Sequence, residues 1–457
     1  MDILLIFLLF TVDIFSVAAE ETTSIPESLL TLTGPAVSTV PTGSYKTYLS
    51  TLTVTSSPIS TAPVISTITD DTTTRTTIIG TTTIFGIGTN AENVTGEAIS
   101  TETQTLLTGR PSTTANSTEN SISSSPTPTP INETPCNNYP EFCSRKYSNI
   151  TEVSAHNSPF IRAGNAGANQ ALSVTAQLND GIRLLQAQIR FINETPHFCH
   201  TSCQILDAGP ITDYLGVVRD WVSSHPYDIV SILLGNGDYR PVTQIAPYVE
   251  DSGLLPYAYL PPKIPMMRND WPTLSSMILT GKRVLFFMDY EANQTAVPWI
   301  MDQFSQMWET PFSPTDRAFP CTVERPPGLL PQDASQRMYI INHNLNYEIS
   351  ILGNSLLVPN LPLLNFTNNI TGFGSLGENA QNCNDTWQYP PKFLNVDYYN
   401  VGNGTVFQVA AKFNNVTYDR ECCGRVPNAS SNLILNSTSS LLLSLLFTLN
   451  LLWSTLI

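Results

Sequence analysis

Charged residues are scarce in this chain of 457 residues, and basic ones are the scarcest. Asp, Glu, Lys and Arg together make up 13% of the sequence, about half of the share that is usual in soluble proteins. The formal net charge is −16, and no run of basic residues occurs anywhere. Sequence-independent binding of nucleic acid requires clustered Lys and Arg that displace counterions. We therefore expect no nucleic-acid partner.

Phosphate-binding glycine loops are missing in the places where a nucleotide enzyme has them. No G-x-G-x-x-G or Walker-type loop follows any of the candidate strands described below, which argues against nucleotide binding. The chain is rich instead in Ser, Thr, Pro and Asn. That balance is typical of a glycosylated extracellular protein.

Both ends of the chain indicate export. Residues 3–17 form a short apolar block that small residues follow, which predicts a signal peptide over residues 1–19. Residues 426–457 combine small residues, a polar spacer and an apolar tail, the layout of a glycosylphosphatidylinositol-anchor signal. The alternative is a C-terminal membrane helix that is retained. The sequence thus predicts an extracellular protein anchored by lipid to the plasma membrane at the cell surface, with later transfer to the cell wall left open.

Residues 20–135 are dominated by Thr and Ser and include a Ser-Pro and Thr-Pro run at 123–130. Such a segment cannot bury enough apolar surface to offset the entropy of ordering it. It predicts a disordered, O-glycosylated stalk, with a plain disordered leader as the alternative. N-linked glycans are expected as well, because sequons continue beyond the stalk at Asn149, Asn193, Asn293, Asn365, Asn369, Asn384, Asn403 and Asn415.

From residue 136 to 425 apolar runs alternate with amphipathic segments, which predicts one α/β domain. The candidate strands are 149–155, 181–191, 229–234, 283–289, 338–344 and 393–399, and the candidate helices are 211–224, 297–308 and 406–413. Several runs are continuously apolar, as is typical of strands buried on both faces of a parallel sheet. A (β/α) barrel and an open doubly wound sheet both fit, and the barrel is the better interpretation.

Eight cysteines in an exported chain predict disulfides, whose pairing the sequence does not reveal. Cys199 and Cys203 closely flank His200, and a disulfide there is favoured over a zinc site. For the adjacent Cys422 and Cys423 we expect two separate partners.

Two of the five histidines follow candidate strands. His156 comes directly after the first strand, and His200 comes after the second strand and a short turn. The ends of barrel strands are where catalytic side chains collect. Because the pKa of histidine lies near neutral pH, two rings at one site suit the base and the acid of phosphodiester cleavage. Two ordinary hydrogen-bonded histidines are the alternative.

Several segments, in order, resemble the X-domain of phosphatidylinositol-specific phospholipases C. The likeness is greatest to the fungal surface proteins called phospholipase C-like phosphodiesterases. The matching segments are His156-Asn157-Ser158, residues 177–185, His200, and residues 213–224, 271–274, 281–287 and 395–399. The resemblance covers essentially the whole of residues 136–425. It implies a distorted TIM-type (β/α) barrel with two histidines facing each other across its top.

The resemblance also implies a mechanism. In that family the first histidine takes the proton of the inositol 2-hydroxyl, which attacks phosphorus, and the second protonates the leaving diacylglycerol oxygen. Carried over by position, His156 is the base and His200 is the acid. A carboxylate orients the base histidine, and Asp397 at the end of a late candidate strand is the matching residue. The alternative is that Asp397 forms a hydrogen bond only to the local backbone. The implied substrate is a phosphatidylinositol or glycosylphosphatidylinositol phosphodiester.

This chain departs from the family at the phosphate. Active members carry an Asp and, two residues later, an Arg that neutralises the phosphate, whereas this chain carries Gln186 and Gln188. Such neutralisation is worth roughly 10²- to 10⁵-fold in rate. Arg190 is a candidate substitute because it shares a strand face with both, and a solvent-facing arginine is the alternative. Asn157 stands where bacterial enzymes carry Asp, so no calcium site, metal or other cofactor is expected.

The sequence therefore predicts a cell-surface phosphodiesterase that uses two-histidine acid–base catalysis, with Asn157, Gln186, Gln188 and Arg190 as candidate substrate-binding residues. The rival interpretation is a catalytically silent barrel that binds a phosphoinositol or glycan head group. Gln186 and Gln188 favour this rival, and the histidine pair favours the enzyme. A purely structural wall protein would explain the stalk and the sugars but not the two histidines.

Overall fold

The computed structural model describes residues 43–48, 51–70, 73–91, 134–351 and 354–424. The predicted signal peptide and anchor signal lie outside these residues, as does most of the predicted stalk. In chain order the strands are β1 (Leu52–Asp70), β2 (Thr73–Ala91), β3 (Glu152–Ala155), β4 (Leu184–Ile192), β5 (Thr195–His200), β6 (Leu206–Pro210), β7 (Val230–Asn236), β8 (Lys263–Ile264), β9 (Val284–Met288), β10 (Ile300–Asp302), β11 (Met307–Glu309), β12 (Met338–Asn342), β13 (Asn346–Ile351), β14 (Asn354–Pro359) and β15 (Phe393–Val396).

The helices alternate with the strands from residue 174 onward. In order they are α1 (Val174–Asp180), α2 (Ile211–Ser224), α3 (Val242–Asp251), α4 (Leu274–Leu279), α5 (Gln303–Gln306), α6 (Pro331–Ala334), α7 (Leu364–Thr367), α8 (Leu376–Trp387) and α9 (Thr405–Asn414). None of the helices in the described residues is long and apolar enough to cross a membrane.

A curled sheet of parallel strands forms the centre of the domain. Its order is β10-β9-β7-β4-β3-β15-β12-β11, and every neighbouring pair along this path is parallel. The two outermost strands, β10 and β11, are consecutive in the chain and only α5 separates them. The sheet therefore curls until its two edges lie one short helix apart, which gives the predicted barrel in a distorted form.

Two apolar cores lie on either side of this sheet. The inner core lies inside the curled sheet and includes Leu233, Leu285, Phe287 and Phe393. The outer core lies between the sheet and the surrounding helices. Because both faces are covered, a strand such as β7 is buried at every position, which explains its continuously apolar sequence.

The amphipathic segments become helices where their pattern is strong. The helix α2 has the bounds predicted from sequence, and it buries Ile211, Leu215, Val218 and Val222 on one face. The predicted helix over 297–308 is wrong. This stretch forms β10, α5 and β11, and its residues are buried on all sides. Without a polar face, an apolar run does not distinguish a helix from a strand.

Two parts of the predicted stalk, Leu52–Asp70 and Thr73–Ala91, form strands in the structure. The strands β1 and β2 form an antiparallel hairpin that extends from Leu52↔Ala91 to Asp70↔Thr73. Thr and Ile are frequent in both strands, and these β-branched residues favour extended backbone. The start of β1 also pairs with β8 at Leu52↔Ile264.

The short segment 43–48, upstream of this hairpin, packs against the barrel. The Tyr45 ring lies 4.9 Å from the ring of Phe304 and 5.6 Å from that of Tyr290, measured between centroids. The two tyrosine hydroxyls are 3.1 Å apart. Residues that contact the barrel therefore include Tyr45, well before residue 136.

The eight cysteines form four disulfides, which confirms the redox expectation. Cys199 pairs with Cys203, as predicted, and the bond lies beside His200. The expectation of separate partners for Cys422 and Cys423 is wrong, because these two residues pair with each other. The remaining pairs are Cys136 with Cys143 and Cys321 with Cys383.

Candidate active site

The upper half of the barrel interior, at the carboxyl ends of the strands, is polar. Ser154 on β3 donates a hydrogen bond to the Asn395 side chain on β15 at 2.8 Å. The Asn395 amide in turn donates to Asn342 on β12 at 3.2 Å and lies 3.4 Å from the Gln186 side chain on β4. These bonds join four strands across the barrel. Polar side chains therefore occupy the end of the barrel at which (β/α)-barrel enzymes hold their active sites.

His156 and Asp397 form the shortest contact between a histidine and a carboxylate at this end. His156 follows β3 and Asp397 follows β15, and the two strands are hydrogen-bonded neighbours. The His156 Nδ1 atom lies 2.7 Å from Asp397 Oδ1, and both side chains are buried. If Nδ1 carries the proton toward the carboxylate, Nε2 is left as the basic nitrogen.

A loop that sequence reasoning missed holds this pair in place. Asn169 Nδ2 donates to Asp397 Oδ1 at 2.9 Å. Gln170 Nε2 donates to the backbone oxygens of His156 and Val396 at 2.8 and 2.9 Å, and so ties the ends of β3 and β15 together. Both side chains are 1% exposed. The signal in the sequence is a pair of amides in a Gly- and Ala-rich loop, which has no periodicity to mark it.

Asn344 is a second residue that sequence reasoning missed. It lies just beyond β12, is 2% exposed, and places Nδ2 at 3.4 Å from His156 Nε2. An amide hydrogen directed at Nε2 is consistent with a ring whose proton resides on Nδ1.

His200 ends β5 and faces the same cluster. Its ring packs edge-on against Phe160 with centroids 5.4 Å apart, and Thr201 Oγ1 lies 3.3 Å from its Nδ1. Burial, with a smaller contribution from the nearby His156, lowers the pKa of His200 to about 4. His200 is therefore neutral at neutral pH in the free protein. We refer to His156, His200, Asn169 and Asp397 as the histidine cluster.

The glutamines on β4 are placed as their spacing predicts. Gln186, Gln188 and Arg190 are partly buried and alternate with the buried Leu185, Ala187 and Ile189. The polar set therefore shares the inner face of the strand.

Arg190 does not present an unpaired charge to the site. Its Nη1 atom donates to Asp238 Oδ1 at 2.8 Å and to the Gly237 oxygen at 2.7 Å. The guanidinium lies at the outer end of β4, and both side chains of the ion pair are about 30% exposed. The charge of Arg190 is thus compensated within the protein.

A second polar cluster, again not identified from sequence, lies beside the gap between β10 and β11. Arg325 forms ion pairs of 3.2 Å with both Glu309 and Asp289. Its guanidinium carbon lies over the rings of Phe312 and Phe304, at 4.5 and 4.9 Å from their centroids. Burial acts to lower the pKa of Arg325, but the two carboxylates outweigh it and raise the pKa. We refer to Arg325, Glu309 and Asp289 as the arginine cluster.

The part of the chain that the structure describes contains no group of three or more His, Cys, Asp or Glu side chains arranged to hold a metal ion. At the position where bacterial enzymes carry Asp, the Asn157 side chain donates from Nδ2 to Asn169 Oδ1 at 3.2 Å. Its amide thus contacts the histidine cluster from the side opposite to Asp397.

Sequence similarity relates this chain to known proteins. The family model of the PI-PLC X domain matches residues 142–414. An uncharacterized secreted protein of Arthroderma benhamiae is 53% identical over 341 residues, which cover 74% of this chain and 75% of the relative. A protein of the same organism named PI-PLC X domain-containing protein 1 is 38% identical over 272 residues, 59% of this chain and 86% of that protein.

Among solved structures, the phosphatidylinositol-specific phospholipase C of Listeria monocytogenes covers 60% of this chain and 96% of its own, at 12% identity and a TM-score of 0.39. At that identity and score the likeness adds nothing to the family assignment. The family model and the sequence relatives suffice: the chain belongs to the PI-PLC X domain family.

Proposed function

We propose that this protein is a phosphodiesterase that cleaves phosphatidylinositol or a glycosylphosphatidylinositol by two-histidine acid–base catalysis without a metal. The observation that supports this most strongly is the buried bond of 2.7 Å between His156 and Asp397, with His200 beside it. A histidine oriented by a carboxylate and facing a second histidine is the arrangement that proton transfer at both ends of one displacement requires.

In the proposed reaction His156 Nε2 accepts the proton of a substrate hydroxyl whose oxygen attacks phosphorus. The bond from phosphorus to the leaving alcohol oxygen breaks, and His200 donates a proton to that oxygen. Attack by a hydroxyl of the same molecule produces a cyclic phosphate and a free alcohol. Asp397 accepts the Nδ1–H bond and stabilises the imidazolium that His156 becomes.

The acid role requires that His200 gain a proton in the complex with substrate, because the pKa of His200 in the free protein is about 4. A phosphate anion between the two rings favours the protonated form through its opposite charge. Substrate binding and protonation of His200 are therefore coupled in this proposal.

We further propose that the protein acts outside the cell, on an anchored stalk, and carries N- and O-linked glycans. A relative of 53% identity is named as secreted, and the four disulfides suit an oxidising compartment. The sequon asparagines of the domain are exposed, apart from the half-buried Asn384. Exposure is what attachment of a glycan requires.

One observation favours a second function, a barrel that binds a phosphoinositol or glycan head group without cleaving it. Arg190 and Arg325 are both paired with carboxylates, and Gln188 stands where the family places the neutralising arginine. Without a cation at phosphorus, the transition state of cleavage lacks stabilisation of the charge that develops there, whereas binding a head group without cleaving it develops no such charge.

The test is cleavage of phosphatidylinositol vesicles and of a glycosylphosphatidylinositol-anchored reporter by the purified protein in excess chelator. His156→Ala and His200→Ala are compared with His225→Ala, a matched histidine whose ring stacks on Trp221 away from the site. The proposal predicts product with the wild type and His225→Ala, and none with the other two. A wild type that forms no product but is stabilised against heat by myo-inositol 1-phosphate would establish the binding function instead.

A further inference from the structure

Asn157 and Asn169 form a chain of hydrogen bonds that ends on the proposed base. Asn157 Nδ2 lies 3.2 Å from Asn169 Oδ1, Asn169 Nδ2 lies 2.9 Å from Asp397 Oδ1, and Asp397 Oδ1 lies 2.7 Å from His156 Nδ1. Asn169, Asp397 and His156 are buried, and Asn157 is partly buried at the open end of the chain.

The direction of each bond follows from what the groups can donate. The Asp397 carboxylate can only accept, so the Asn169 amide must direct its NH₂ group toward it. The Asn169 oxygen then faces Asn157, which must donate. A side chain that only accepts at position 157 would face an oxygen and favour rotation of the Asn169 amide by half a turn.

That rotation would affect the proposed base. It would direct the Asn169 oxygen at Asp397 Oδ1, where two acceptors repel each other in a site of low dielectric. Asp397 would lose a charge-assisted hydrogen bond and would be free to turn away from His156. The residue at 157 therefore acts on His156 through two intervening side chains.

We infer that Asn157 and Asn169 are positioning residues that hold Asp397 in its bond to His156, and that this chain needs an amide at position 157. The inference deepens the proposed function and rests on it for its effect on rate. It also assigns Asn157 a role different from substrate binding, in keeping with the direction of its side chain. Aspartate at position 157, which the bacterial enzymes carry, is then harmful in this protein.

Asn157→Asp is the decisive substitution because it preserves size and suits the backbone. Asn157 has φ of 50°, a left-handed conformation that Asn and Asp both tolerate. Asn138→Asp is the matched control, since Asn138 is also partly buried, has φ of 75° and lies near the amino end of β3, at the opposite end of the barrel. Asn169→Ala removes the middle of the chain without adding charge.

Two readouts are measured on the full chain. The first is the rate of phosphatidylinositol cleavage, for which Asn157→Asp and Asn169→Ala are expected to lower kcat by roughly 10- to 100-fold with little change in KM. The second is the Nδ1–H proton resonance of His156 in protein labelled with ¹⁵N-histidine, in which only five histidines contribute. That resonance is expected to shift in both variants and to stay unchanged in Asn138→Asp.

The two readouts separate failure of this inference from failure of the proposed function. If the wild type is inactive but the His156 resonance shifts in Asn157→Asp, the catalytic proposal is overturned and the inferred chain of hydrogen bonds stands. Full activity and an unmoved resonance in Asn157→Asp would overturn the inference. Equal changes in Asn157→Asp and Asn138→Asp would also overturn it, because they would show a general effect of added charge.

Discussion

The histidine cluster and the arginine cluster share the upper half of one barrel and differ in how their charges are balanced. In the arginine cluster a buried cation is matched by two carboxylates and covered by aromatic rings. In the histidine cluster a single carboxylate serves His156, and the Oδ2 atom of Asp397 has no hydrogen-bond partner in the described residues. Burial of polar groups is common to both, so burial alone does not identify a reactive site. The difference is that the cation of the arginine cluster is paired with carboxylates on two sides, whereas the carboxylate of the histidine cluster keeps one oxygen without a partner, within the described ranges, beside the proposed base.

The largest expected effect is on the rate of cleavage and arises in the histidine cluster. Asp397→Asn keeps the shape of the side chain but removes the negative charge that orients His156, so kcat is expected to fall by roughly 10²- to 10⁴-fold. The free energy of unfolding should change little. Initial rates of phosphatidylinositol cleavage and a thermal melt of the same sample measure both quantities. A variant with normal rate would place the reaction elsewhere in the barrel.

The next largest effect is on the free energy of unfolding and arises in the arginine cluster. Arg325→Met leaves Glu309 and Asp289 buried without their cation, which is expected to lower the free energy of unfolding by about 3–5 kcal/mol. Arg240→Met is the control, because the ion pair of Arg240 with Glu194 is exposed and should contribute under about 1 kcal/mol. Urea unfolding of both variants measures the difference. Equal losses in the two variants would remove the distinction drawn between the clusters.

A smaller effect is a loss of stability at acidic pH. Burial lowers the pKa values of both His200 and His343 to about 4, from an ordinary value of 6.5. Between these values the unfolded chain takes up protons that the folded protein does not, so stability falls as pH decreases from 6.5 to 4. The loss is on the order of 2 kcal/mol per histidine by pH 4.5. Melting curves across this range should show it, and His343→Asn should remove about half of the slope. A flat profile would contradict both pKa shifts.

The smallest effect tests the segment 43–48 against the arginine cluster. Tyr45→Phe removes the hydroxyl that lies 3.1 Å from the Tyr290 hydroxyl, which itself lies 3.3 Å from Arg325 Nη2. A loss of about 1 kcal/mol is expected, the contribution of one hydrogen bond. Thermal melts of the wild type and the variant measure this difference in stability. A Tyr45→Phe protein as stable as the wild type would show that this contact adds nothing to the fold.

The sequence predicts the parts of this molecule that repeat or match a motif. The helix α2 and most barrel strands follow from periodicity, and His156, His200 and Asp397 follow from a family pattern. Asn169, Gln170 and Asn344 were missed because they lie in loops and act through contacts between segments far apart in the chain. Arg325 was missed for the same reason, since its partners come from β11 and the end of β9.

The helix predicted over 297–308 is wrong, and the hairpin of β1 and β2 was not predicted, for other reasons. In the first, burial on all sides removes the polar face that distinguishes helix from strand. In the hairpin, Thr counts toward the composition that predicts a disordered stalk, and Thr is also a β-branched residue that favours strands.

The central claim is that His156, held by Asp397, activates a hydroxyl of the substrate for attack on its own phosphate. The most direct measurement is ³¹P NMR of the first product formed from phosphatidylinositol in chelator, for the wild type and for Asp397→Asn. We predict that the wild type first forms a five-membered cyclic phosphate and that Asp397→Asn forms it far more slowly. An acyclic monoester as the first product, or equal rates in the two proteins, would contradict the account.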